Sequence, residues 1–65
     1  MNIKLNGAQV SCDRVSLADL IRDRGFNPES LIAEVNLEII RQEDWPAYVL
    51  KDGDAVELLN FVGGG

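Results

Sequence analysis

Apolar and polar residues alternate at the start of the chain, Ile3 and Leu5 against Asn2 and Lys4, then Ala8, Val10 and Cys12 against Gln9 and Ser11. A period of two is that of a strand with one buried face. Between the two runs stands Asn6-Gly7, a pair that tolerates the positive φ of a tight hairpin turn. The chain is therefore predicted to open with a β-hairpin. The period then changes: Leu17, Leu20, Ile21 and Arg24 share one side of a helix, with the Arg24 stem covering its edge. Ser16 is placed to cap the N–H of Asp19, whose carboxylate can reach back and also suits the positive end of the helix dipole. Val15 and Leu20 occupy the positions of a hydrophobic staple. Gly25 is placed to stop the helix in the left-handed conformation and Pro28 to prevent its resumption, which gives a helix of about two to three turns.

Leu31–Val35 forms the next apolar run, Asn36 suits a turn, and Ile39 and Ile40 predict a short strand. Residues 42–45 can add a helical turn before Pro46, and Asp52-Gly53-Asp54 marks a turn ahead of a last strand over residues 55–62. The order is β-β-α-β-β-β. A single helix must then cover one face of a mixed sheet, an α+β roll of about five strands. The first and last strands, apolar and free of proline, both suit central places. That arrangement is the β-grasp (ubiquitin-like) fold, although order alone leaves the pairing open. The division expected is a β-grasp domain over 1–62 and a flexible glycine tail over 63–65.

Composition narrows what holds this fold together. A chain of 65 residues makes one small domain, and such domains need a well-patterned core, disulfides or a metal. Cys12 is the only cysteine and histidine is absent, which removes an internal disulfide and leaves too few ligands for a structural zinc. The core must carry the fold, and a hydrophobic content of 46% makes that feasible. The net charge of −5, with six basic residues scattered among eleven acidic ones, does not offer the clustered cations that nucleic acid requires. It disfavours an anionic membrane surface equally, and suits a protein partner with a basic docking face. Without an apolar signal segment, a bilayer-spanning stretch or a disulfide, the expected compartment is the cytoplasm.

Catalytic chemistry is hard to place on this chain. No nucleophile–base pair is visible, and the usual neutral-pH acid–base residue is missing. No helix follows the terminal glycines to hold a phosphate. The carboxylate pairs Glu43-Asp44 and Asp52/Asp54 read as solvated turn residues. Cys12 reads as a small apolar strand residue and Trp45 as a packing anchor. What stands out is the ending Phe61-Val62-Gly63-Gly64-Gly65. Three glycines add entropy and no packing, so fold stability does not require them. Their use is reach: a tail without Cβ atoms can enter a narrow channel and place a carboxylate inside another protein. A frayed end is the plain alternative.

In this context the whole chain resembles the ThiS family, the ubiquitin-like sulfur carriers of thiamin biosynthesis. The resemblance runs through Ile3-Lys4-Leu5-Asn6-Gly7, Ser16-Leu17, Val35-Asn36, Ile39-Ile40, Trp45, Asp52-Gly53-Asp54 and the Phe61-Val62-Gly-Gly-Gly end. Arg41 departs from it, since these carriers often have proline after the paired aliphatics. The resemblance implies that the chain is no enzyme but a protein co-substrate, with no cofactor or metal of its own. A ubiquitin-activating-type adenylyltransferase, using ATP and magnesium, would join AMP to the Gly65 carboxylate. A persulfide donor would convert it to a thiocarboxylate, and thiazole synthase would receive the sulfur. Gly63 and Gly64 would supply access. The rivals are a carrier for another pathway such as molybdopterin, a ubiquitin-like modifier of lysines, and an inert β-grasp module. Monomer is the default state.

The last strand also offers a docking surface. Val56 and Leu58 point to one face and Glu57, Leu59 and Phe61 to the other. If the first pair is core, Leu59, Phe61 and Val62 form a candidate partner patch beside the tail. The alternative is a roll that closes over Leu59 and Phe61 and buries both faces.

Overall fold

A computed structural model describes residues 1–61 of the chain. Strand β1 (Asn2–Leu5) and strand β2 (Ala8–Ser11) form the opening hairpin, paired antiparallel from Asn2↔Ser11 to Leu5↔Ala8. Asn6 and Gly7 turn it with φ of 50° and 84°, the left-handed pair a type I′ turn demands. Helix α1 (Leu17–Asp23) begins where Ser16 Oγ accepts the Asp19 N–H at 3.1 Å. The Asp19 carboxylate does not complete the capping box; it turns to Arg22, 3.0 Å away and one turn on. Gly25 ends the helix at φ 76°. Its N–H donates to Arg22 C=O and the Phe26 N–H to Ile21 C=O, the bond pair of a Schellman motif. Arg24 lies exposed and covers no edge.

Strands β3 (Leu31–Val35), β4 (Glu38–Ile40) and β5 (Ala55–Asn60) complete the sheet. Short 3-10 turns at Pro28–Ser30 and Gln42–Ala47 join the elements. The strand order is β2-β1-β5-β3-β4, with β1 parallel to β5 and every other pair antiparallel. Both end strands of the chain are therefore neighbours inside the sheet, with β5 at its centre. The element order and mixed five-strand sheet under one main helix are those expected from the sequence. Strand β5 stops at Asn60, short of the residue 62 that alternation suggests; Phe61 still donates its N–H to Ser30 C=O at 2.9 Å.

One face of the sheet holds the core. Ile3 and Leu5 of β1, Val56 and Leu58 of β5, and Ala33 and Val35 of β3 meet Leu17, Leu20 and Ile21 of α1, all of them buried. Trp45 closes one end at 4% exposure, its indole N–H donating to Ile40 C=O at 2.9 Å. Residues 48–50, which show no periodicity, are drawn in by backbone bonds from Leu17 to Tyr48 and from Leu50 to Val15, and Leu50 is fully buried. Cys12 is half-buried against the core. No helix among the described residues is long and apolar enough to cross a membrane.

The reading of Asp54 as a solvated turn residue is overturned. Asp54 is 5% exposed and accepts the Lys51 N–H at 2.8 Å and the Asn36 side-chain amide at 3.0 Å. Burial of a carboxylate is tolerated because hydrogen bonds replace its water. Asn36 in turn accepts the Ala55 N–H, so the two side chains tie the Asp52-Gly53-Asp54 turn to the start of β5. Asp54→Ala strands an N–H and an amide, and is expected to cost about 2–3 kcal/mol in urea denaturation. Asp54→Asn, which keeps an acceptor, should recover part of it.

Candidate functional site

Strand β5 is the described element that precedes the glycine-rich end in sequence. The alternation of β5 is resolved by the helix lying on one side only. Val56 and Leu58 face it at 1% and 3% exposure, while Leu59 and Phe61 stand on the open face at 48% and 46%. Val62, Gly63, Gly64 and Gly65 lie outside the described residues, and with them the expected tail and the carrying group.

The sheet adds neighbours that sequence reading missed. Ile32 of β3 pairs directly with Leu59 and is also exposed. Ile39 of β4 pairs with Glu34 and is more exposed still. Ile32, Leu59 and Phe61 thus form an apolar strip along the end of β5, with Ile39 at its flank. Only strand order joins them, since they come from three separate segments. The signal available beforehand was Ile32 itself, an isoleucine out of phase with buried Leu31, Ala33 and Val35.

Next to the strip the chemistry changes to acid. Glu34 of β3 and Glu57 of β5 are direct cross-strand partners, both on the open face. Like charges placed opposite one another destabilise a sheet, and no ion pair relieves either among the described residues. The open face therefore offers an apolar strip at the end of β5 and a carboxylate pair behind it. Among the described residues this face holds no nucleophile–base pair.

The end of β5 is held on both flanks. Phe61 is bonded to Ser30 C=O on the β3 side. On the β1 side, Asn6 Oδ1 accepts the Leu58 N–H at 2.8 Å and Asn6 Nδ2 donates to Leu58 C=O at 3.2 Å. This second contact was not anticipated, because Asn6 is accounted for in sequence by its turn.

Comparison with known proteins shows which chains this one is similar to. The model of the ThiS family matches residues 3–65. The sulfur carrier protein ThiS of Bacillus subtilis is 35% identical over 65 residues, covering 97% of this chain and 98% of that protein. A thiazole synthase of Magnetococcus marinus is 33% identical over 66 residues, covering all of this chain; the chain spans 20% of that enzyme's length. The crystal structure of a thiamine biosynthesis protein (ThiS) from Geobacter metallireducens superposes with a TM-score of 0.86 at 35% identity, each chain covered in full.

Proposed function

The chain belongs to the ThiS family, and from that membership we propose its chemistry: it is a sulfur carrier of thiamin biosynthesis, not a catalyst, whose cargo rides on the carboxylate of Gly65. The observation that supports this reading is the placing of the end of β5. The central strand, clamped on both flanks, runs out beside an apolar strip, and the sequence after it is Val62-Gly63-Gly64-Gly65.

A carboxylate is a poor electrophile, because its oxygen is a poor leaving group. A ubiquitin-activating-type adenylyltransferase solves this with ATP and magnesium. A Gly65 oxygen attacks the α-phosphate, pyrophosphate leaves, and an acyl adenylate forms. The outer sulfur of a donor persulfide then attacks the acyl carbon and expels AMP. A second thiol cleaves the resulting S–S bond, forming a disulfide and leaving the thiocarboxylate on Gly65. That sulfur is the nucleophile delivered to thiazole synthase. The Magnetococcus relative supports this last partner, since an enzyme of that name contains a segment similar to this whole chain.

The open face is the docking surface. Leu59, Phe61 and Ile32 supply burial and Val62 continues the sequence toward the tail, while Glu34 and Glu57 attract a partner with a basic face. The carboxylate pair gives up a little fold stability for that field.

Mass spectrometry of the protein isolated from its native cell tests the reading. Exchange of one oxygen for sulfur at Gly65 is expected. Lysine peptides branched with Gly65 would make the chain a modifier instead, and an unaltered terminus under thiamin starvation would leave it a plain interaction module.

A further inference from the structure

We infer that Asn6 is a positioning residue for the sulfur-carrying end: its side-chain amide holds β5 after β1 has stopped, and so fixes the end of the strand from which the tail starts. The inference rests on the reading of Gly65 as the carrying group. Strand β1 contacts β5 only at Lys4↔Ala55 and Leu5↔Val56, whereas β5 continues to Asn60. On that flank the Leu58 peptide groups have no strand residue opposite them. The Asn6 amide takes the empty place. Its Oδ1 accepts the Leu58 N–H and its Nδ2 donates to Leu58 C=O, so that a donor and an acceptor lie side by side as in a peptide unit. The Asn6 backbone N–H meanwhile donates to Val56 C=O at 2.9 Å, and the ladder runs on without a break.

The turn does not require this amide. Glycine is also accepted in a type I′ turn, and what the asparagine side chain adds here is the pair of bonds to Leu58. The opposite flank is secured by the β3 register through Leu31↔Asn60 and by Phe61 on Ser30. With one flank released, β5 can pivot on β3, and the direction in which the chain leaves Phe61 spreads. Val62 and then three glycines follow, and glycines, having no side chains, cannot restore the aim. How often the carboxylate reaches a partner's channel then depends on how steadily the end of β5 holds the start of the tail.

Asn6→Gly tests this, because it keeps a residue that tolerates the positive φ of the turn and removes the amide. Ser16→Ala is its control: it removes the helix cap to Asp19, a loss of similar size that takes no hydrogen bond from β5. Full-length variants are assayed by ATP–pyrophosphate exchange with the adenylyltransferase, and by amide hydrogen exchange alone. For Asn6→Gly, kcat is expected to fall about ten- to a hundredfold, with KM changed less than about twofold because the docking strip is intact. The Leu58 amide should exchange at least about tenfold faster in Asn6→Gly, whereas Ser16→Ala should speed it only by its loss of global stability, in step with the other core amides. A purely structural role would reduce the folded fraction, raise KM, spare kcat and affect both variants alike. That pattern, or an unchanged kcat in Asn6→Gly, overturns the inference. A wild-type chain that is not adenylated overturns the Gly65 reading and this inference with it, while hydrogen exchange still reports whether the clamp exists.

Discussion

A chain carrying even one residue beyond Gly65 will not be activated. Appending a residue turns the Gly65 carboxyl into an amide, which offers no anionic oxygen to attack ATP. The new carboxylate lies about 3.5 Å further along the chain. Misplacing a reacting group by about 1 Å can already cost about a hundredfold, so ATP–pyrophosphate exchange is expected to fall at least that far. Removing Gly65 draws the carboxylate back by a similar distance and should be as damaging. Neither change should alter the thermal midpoint, because every buried side chain among the described residues lies at or before Leu58. Gly64→Val makes a finer comparison. It keeps the carboxylate and its reach but adds a β-branched side chain that obstructs a narrow channel and disfavours positive φ. Normal exchange with the extended chain would defeat the mechanism.

The parts of this molecule legible in its sequence are those fixed by local chemistry. Asn6-Gly7, the Ser16 cap and Gly25 each signal their turn or helix end through neighbours a few residues away, and each does that work in the structure. Residues defined by distant partners were not legible. Asn6 reads as a turn residue, and nothing local shows that its amide meets Leu58, 52 positions away. Asp54 reads as solvated because acids in turns usually are; it is buried because Asn36, 18 positions earlier, and the Lys51 N–H replace its water. Ile32 and Leu59 become one strip only through the β3–β5 pairing. The alternation in β5 separates two faces but cannot say which one the helix covers. Gly65 is the reverse case: it lies outside the described residues, and the role proposed for it comes from the glycine motif and the family alone.

Leu58 and Phe61, three residues apart on the same segment, are expected to fail in opposite ways when truncated to alanine. Leu58 is 3% exposed and packed in the core, so Leu58→Ala removes buried methyl groups and leaves a cavity. The expected cost is about 2–5 kcal/mol. Single domains hold only about 5–15 kcal/mol, and a small core sits at the low end, so the variant should unfold at markedly lower urea. Phe61 is 46% exposed on the open face, with half its ring already in water. Phe61→Ala is expected to cost about 1 kcal/mol of stability while weakening association with the adenylyltransferase about ten- to a hundredfold, as for a central aromatic anchor. Denaturation and binding must therefore be measured on both variants. A folded, fully binding Phe61→Ala would remove the ring from the docking surface. A Phe61→Ala as unstable as Leu58→Ala would mean that the open face is covered in solution, and that partners meet the carrier elsewhere.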